Sequence, residues 1–346
     1  MKLFCVVSLI SLSLTLTVCA QKKTDGFRLV DNIDAKQIEV FYNDKLLTAY
    51  YYADSIKKPI LFPINTLSGV TVTRGFPIAP REGEPVDHPH HTGMWLNYES
   101  VNGLDFWNHS TAIPYKDRSH YGTIVHDGVV KTEANKTNAI LEVTARWINH
   151  KENILLREST RYIFSVEGEN FIIDRITTLD ALNEDVYFND VKDGLFAIRV
   201  ARELQHRSEQ PEIFIDSKGN PTTVPAINNK DVNGEYLSSE GLKGNAVWGT
   251  RARWVSLVGI MGNEIVSITI IDHPKNIGYP TYWHARGYGL FSANPLGQKI
   301  FSEGKEKLNF MLKKDESVTF RYRVAIRSGS ELAASEIESL TKDFEK

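Results

Sequence analysis

Outside its first twenty residues this chain contains no cysteine. Its two cysteines, Cys5 and Cys19, both fall in that leading segment. A cysteine nucleophile, a thiolate zinc site and an iron–sulfur cluster are therefore excluded for the rest, although an oxidising compartment would permit disulfides. Surplus charge is lacking too. A formal net charge of −3 and a pI near 6.4, with Lys and Arg interspersed among Asp and Glu, give no electrostatic case for nucleic acid or an anionic membrane. Beyond the leading segment no apolar run approaches the ~20 residues that a spanning helix needs. Neither Gly-x-Gly-x-x-Gly before a helix nor Gly-x-x-x-x-Gly-Lys-Ser/Thr occurs, which removes the usual nucleotide cradles. Gly-x-Ser-x-Gly is missing as well, which lowers a serine hydrolase.

What the first twenty residues do contain is an export signal. Lys2 supplies positive charge, Leu3 to Val18 form an apolar stretch diluted by Ser and Thr, and Val18-Cys19-Ala20 offers a small-residue cleavage site. A periplasmic or secreted protein is expected. Leu16-Thr17-Val18-Cys19 also resembles a bacterial lipobox, in which Cys19 would carry a lipid anchor; Val18 is a poor residue before such a cysteine, which favours the soluble form.

Residues 21–346 read as one all-β domain, a large antiparallel β-sandwich. Apolar and polar residues alternate through Leu141–Trp147 and Val318–Arg327, the pattern of strands with one buried and one wet face. Tyr162, Phe164 and Val166 repeat it, and Ile265 to Ile271 reads as a more buried strand. Asn43-Asp44, Asp127-Gly128, Glu167–Asn170 and Asp315-Glu316 are expected turns. One helix is expected, at the C-terminus: Ala333, Ile337, Leu340 and Phe344 recur at helical spacing, with a capping-box pair at Ser328 and Glu331. A long polar excursion runs from about 205 to 244.

Chemistry concentrates in Asp87-His88-Pro89-His90-His91-Thr92-Gly93, where three of the ten histidines fall within four residues. Histidine suits acid–base work because its reference pKa, about 6.5, is near neutrality. Pro89 biases His88 to an extended backbone, which would send His88 and His90 to one side and His91 to the other. His88 and His90 with Glu84 or Asp87 would also make a two-histidine, one-carboxylate set for a divalent metal, at a spacing that matches no zinc motif. Aromatics Phe106 and Trp107 follow. Further polar groups surround Asp190, Lys192, Asp193 and Arg199, then Arg251, then His273, Trp283, His284, Arg286 and Asn294. Taken singly, each of these fits a salt bridge, a core ring or a capped turn as well as a site.

Taken together the segments resemble a bacterial family of unknown function often labelled methane oxygenase PmoA. The carrying residues are Asp87–Trp95, Val101-Asn102-Gly103-Leu104-Asp105-Phe106-Trp107, Lys192-Asp193-Gly194, Trp248–Arg251, Asp272-His273-Pro274-Lys275-Asn276 and Tyr282–Gly287. The label implies an integral membrane protein, which the absence of a later apolar run contradicts. Members of the family look similar to galactose-mutarotase-type supersandwiches, so the resemblance implies carbohydrate work, by analogy of fold. The expected function is an exported enzyme acting on a sugar or glycoside without a nucleotide cofactor. His88, His91 and His284 would exchange protons and Asp193 would be the opposing carboxylate. Lys192, Arg199, Arg251 and Asn294 would orient a small-molecule or oligosaccharide substrate, with Trp107 and Trp283 as its stacking floor. Hydrolysis, β-elimination and epimerisation stay open. A non-catalytic carbohydrate-binding protein and a metal-dependent enzyme centred on His88 and His90 are the alternatives.

Overall fold

A computed structural model describes residues 25–346; the expected signal peptide, Cys5 and Cys19 lie outside them. Two eight-stranded sheets stack face to face, and a two-stranded ribbon lies beside them. The first sheet runs in the order Phe27–Asn32, Gln37–Tyr42, Lys45–Tyr51, Ile60–Ile64, Met94–Tyr98, Gly194–Arg199, Leu290–Asn294, Tyr282–Arg286. The second runs Glu235–Ser238, Trp254–Met261, Glu264–Asp272, Ser317–Ser328, Asn170–Ala181, Ile154–Glu167, Asn138–Ile148, Thr123–Ala134. Neighbouring strands are antiparallel throughout. The expected sandwich is the fold.

The alternation seen in the sequence is what divides core from surface. In Asn138–Ile148 the odd positions Leu141, Val143, Ala145 and Trp147 are buried and the residues between them are partly open. Leu156 and Tyr162, the partners of Trp147 and Leu141, belong to the same core cluster, which continues into Met94, Leu96, Phe196 and Ile198 of the first sheet. Side chains from both sheets thus exclude water together.

Two local expectations fail. Asp127-Gly128 is not a turn: it lies inside the strand Thr123–Ala134, where the register with the neighbouring strand shifts between His126 and Gly128. Glycine accommodates such a bulge as readily as a turn. The C-terminal helix spans Ala334–Phe344, later than Ser328 and Glu331 would set it. Pairing with Val266 keeps Ser328 in its strand, and the Glu336 carboxylate accepts the Ala333 N–H instead. Ile337 and Leu340 then bury against Ile172, Trp254, Ile271 and Ala325 on the outside of the second sheet.

The polar excursion is a brace. Phe214 bridges Pro85, the Val86 N–H donates to the Ile213 carbonyl, and Ile215 and Glu84 are joined the same way. The excursion is therefore hydrogen-bonded to the segment that leads into the histidines.

Candidate functional site

The site lies on the outer face of the first sheet. Strand Gly194–Arg199 pairs with Met94–Tyr98 on one side and Leu290–Asn294 on the other, which pairs in turn with Tyr282–Arg286. Period two sends Phe196, Phe291, Ala293, Trp283 and Ala285 into the sandwich. It leaves Trp95, Asn97, Ala197, Arg199, Leu290, Ser292 and His284 on the other face.

Two buried arginines build the first polar group. Thr73 bridges Val200 just past the end of the strand, which sets Arg74 beside Arg199. Neither side chain is exposed. Arg199 places Nη2 at 2.7 and 2.8 Å from the two Asp87 carboxylate oxygens, and Arg74 Nη1 donates to the same carboxylate at 2.6 Å. Arg74 also donates to the carbonyls of Asp87, His88 and His91 at 2.8, 2.9 and 3.0 Å. One guanidinium therefore fixes the path of the histidine loop. Burial alone would raise the Asp87 carboxyl, but Arg199, the His88 bond and Arg74 outweigh it and hold it below the usual carboxylate range.

That grip overrides the extended backbone expected at His88. Its φ is +43°, and the His91 N–H closes a turn onto the His88 carbonyl at 2.9 Å, with Pro89 inside the turn. A left-handed backbone before proline is strained, and such strain persists only where surrounding contacts enforce it. Gly93 ends the loop at φ +57°, where a Cβ would stand 2.3 Å from the Leu61 carbonyl oxygen. The histidines do not alternate from side to side. His88 and His91 lie parallel, with centroids 4.8 Å apart, and His90 meets both edge-on.

The three rings differ in what they can do. His88 Nδ1 is hydrogen-bonded to Asp87, its side chain is 41% exposed, and Tyr288 stacks on it at 4.9 Å. An aspartate-oriented imidazole with an open second nitrogen suits proton transfer. His91 does not. It is buried, and both of its nitrogens face obligate donors, Trp107 Nε1 at 3.2 Å and Arg199 Nη1 at 3.3 Å. A neutral imidazole has one accepting nitrogen and can serve only one of them; a second proton would oppose both. Burial first, then His90 and Arg199, drive its pKa far down. His91 is a positioning residue. His90 is lowered to about 2, chiefly by burial and then by Lys58, and its Nε2 is buried without a partner among the described residues.

The second group centres on His284. Its ring lies against the Lys192 backbone, and Nδ1, 3.5 Å from an Asp193 oxygen, is buried without a hydrogen-bond partner among the described residues. Burial lowers His284 to about 4, against the opposing pull of Asp193. Lys192 reaches the other Asp193 oxygen at 2.6 Å. Asn294 does not face a substrate: its amide holds the Val191 and Lys192 carbonyls at 3.0 and 2.9 Å. His284 is level with Ala197 through Ser292, two residues from Arg199 along the sheet, about 7 Å of strand rise. Tyr288 lies between the groups. Its hydroxyl is raised to about 12, by burial first, and both Asp193 and Asp87 act on it.

Other expected site residues lie elsewhere or are engaged. Trp283 points into the sandwich, is 0% exposed and donates to the Ala252 carbonyl, so it is no stacking floor. Trp107 is 1% exposed against Trp95 and has no open face. Arg251 holds the Gly278 and Pro280 carbonyls and Glu306. Arg199 serves Asp87 and His91 rather than substrate hydroxyls. Glu84, offered as a metal ligand, accepts from the Gly75, Phe76 and Arg81 backbones and from the Arg81 guanidinium. Among the described residues no cluster of three or more His, Cys, Asp and Glu is arranged to hold a metal ion.

The sequence reading missed Arg74, Tyr288, Lys58 and Glu212. Lys58 is 3% exposed over the Trp95 ring, donates to the His90 carbonyl at 2.7 Å, and is lowered by burial to about 7. Glu212, from the polar excursion, is raised by burial and by Asp87. Only Tyr288 carried a signal, since it follows the expected motif that ends at Gly287.

This outer-face site sits on a β-sandwich of a defined family. The chain belongs to a family of unknown function, DUF6807, whose model matches residues 37–342. That description carries no activity, and none of the methane chemistry in the label that the motifs suggested. No match was found among curated proteins. Among solved structures, the chain is similar to the galactosidase domain of an α-galactosidase–sucrose kinase, AgaSK, at 10% identity over 87% of this chain and 41% of that one, TM-score 0.40. The α-galactosidase from Lactobacillus brevis gives 8% identity over 92% of this chain and 41% of that one, TM-score 0.40. Galactose 1-epimerase from Lactobacillus acidophilus NCFM gives 10% over 89% of this chain and 100% of that one, TM-score 0.37. The chain thus spans about two fifths of the two galactosidase structures. At this distance the likeness bears on no residue's role.

Proposed function

We propose that this protein is an exported enzyme acting on a sugar or glycoside by acid–base catalysis at His88, without a nucleotide cofactor. The observation that carries the proposal is the Asp87–His88 pair. Two unexposed arginines fix the carboxylate, the carboxylate orients the imidazole, and this imidazole is the most open of the three to solvent. Asp87 sets the ring orientation and stabilises its cation; His88 gives or takes the proton. Asp193, with Lys192 and His284, is the opposing carboxylate, and the Tyr288 hydroxyl between them orients a substrate hydroxyl. Carboxylate, phenol and ammonium groups around one imidazole suit a ligand rich in hydroxyls.

The test is a screen of glycosides and 3-keto-glycosides with the wild-type protein and with His88→Ala. Turnover is expected to fall about 10²–10⁴-fold on the substitution, the usual worth of a positioned acid or base. Undiminished turnover by His88→Ala would remove His88 from the chemistry.

A further inference from the structure

A cleft of about 440 Å³ opens beside the histidine loop, lined in part by Lys57, His109, Lys116, Arg118 and His150. Its size is that of a small-ligand site. Every ionisable side chain among its described lining residues is basic or phenolic; none is a carboxylate. Among the described residues, Lys57, Lys116 and Arg118 form no ion pair. Arg118 donates Nε to the Ile113 carbonyl and lies 5.8 Å over the Tyr115 ring, which leaves its terminal nitrogens without a hydrogen bond among the described residues. Lys57 is lowered by burial first and then by Arg118, against the weaker pull of Asp54, so two cations stand close enough to repel. Exposed lysines are ordinarily a solvated face, and by themselves they would mean nothing.

His109 changes that. It is 6% exposed, and its Nδ1 lies 2.9 Å from the Gly122 carbonyl. A carbonyl only accepts, so Nδ1 carries the proton and Nε2 presents a lone pair. That Nε2 is buried and has no partner among the described residues. A buried acceptor left open costs free energy unless a ligand or water donates to it. Burial first, and then Lys57, Arg118 and Lys58, lower the ring, which keeps Nε2 an acceptor near neutral pH. A void of about 30 Å³ shares Lys57 and His109 with the cleft and reaches Pro89 and His90 of the histidine loop.

We infer that this cleft is a subsite for an anionic sugar residue, its carboxylate or sulfate among Lys57, Lys116 and Arg118 and a ring hydroxyl donating to His109 Nε2. The inference deepens the proposed function and rests on its sugar substrate; it adds that the preferred substrate is acidic. A neutral sugar satisfies His109 and leaves the cations unpaired. A free anion does the reverse. An acidic sugar satisfies both.

Calorimetric titration of the full chain with trigalacturonate, galactotriose and inorganic sulfate tests this. Trigalacturonate is expected to bind at least about tenfold more tightly than galactotriose, as new charge-assisted bonds imply. That preference should vanish in Lys57→Ala/Arg118→Ala and shrink in Lys116→Glu, whose exposed position leaves folding untouched. His109→Phe should weaken both saccharides and leave sulfate unchanged. Equal affinity for the two saccharides, or a preference that survives both charge variants, overturns the subsite. Sulfate binding as tightly as trigalacturonate means an adventitious ion only, and overturns it as well. His88→Ala separates this subsite from the catalytic proposal. If the variant keeps full turnover, His88 catalysis falls while the titration still decides the cleft; if turnover is lost and the preference is absent, only the subsite falls.

Discussion

Among the described residues, buried arginine–carboxylate networks occur in both sheets, and one from each, built on Glu158 and on Asp87, differ in where the last bond goes. In the second sheet Glu158 accepts from Arg175 at 2.9 Å, Trp147 Nε1 at 2.8 Å and Thr160 at 2.7 Å. All of these side chains are buried between the sheets, with the Arg175 guanidinium over the Tyr162 ring. In the first sheet Arg74 and Arg199 hold Asp87 from below, but Asp87 passes its remaining bond outward to His88. The Glu158 network stays inside the core, where Arg175 Nη1 has no partner among the described residues. The Asp87 network uses the same chemistry to hold a half-exposed imidazole at the surface.

Breaking the Glu158 network should have the largest effect on stability. Glu158→Leu leaves Arg175 charged in the core and is expected to cost about 3–5 kcal/mol, read as a lowered urea midpoint at unchanged slope. Glu158→Leu/Arg175→Met should recover most of that loss, because an apolar pair of similar volume replaces a buried ion pair at little cost. If the double variant is no better than the single one, the network holds the sandwich together in some way beyond charge balance.

The Asp87 network sharpens the contrast. Asp87→Asn should cost about 2–3 kcal/mol at pH 7, less than Glu158→Leu because Asp87 is 24% exposed. Its pH dependence has a fixed sign. A carboxyl depressed by folding adds stability that is present above the unfolded value of about 3.9 and is lost as pH falls through the folded one. The gap between wild type and Asp87→Asn should thus narrow in urea melts below about pH 4. Unlike the core variant, Asp87→Asn should also slow turnover at pH 7, since His88 loses its orienting partner.

The contrast also explains what could be read in advance. Strand periodicity was legible because each strand buries one face, so Leu141–Trp147 and Val318–Arg327 announced themselves. His88 and its neighbours were legible as a dense polar motif. Arg74 was not, because a lone arginine in a loop looks like any solvated cation until the sheet sets it beside Arg199. Trp283 and Trp107 misled for the converse reason: aromatics suit a floor or a core equally, and only the register decides. The order of Asp272 to Asn276 has a structural cause, since Asp272 accepts the His273 and Thr281 N–H groups and the Asn276 amide.

The smallest of the three effects belongs to His284, on the same face as Asp87 but without an arginine beneath it. Its pKa in the folded chain is about 4, set mainly by burial, against about 6.5 for an unperturbed imidazole. The unfolded chain therefore takes up a proton first as pH falls, and stability declines between about 6.5 and 4. This is opposite in cause to Asp87: there folding favours the charged form, whereas at His284 it penalises it. His284→Gln removes the titration but keeps a polar amide against the Lys192 backbone. Its cost at pH 7.5 is expected to be about 1 kcal/mol, the central value for a single substitution. Between pH 6.5 and 4 the wild type should lose about 2 kcal/mol relative to the variant. Parallel stability curves over that range would mean that Asp193, 3.5 Å from Nδ1, shares a proton with His284 and offsets the penalty of burial.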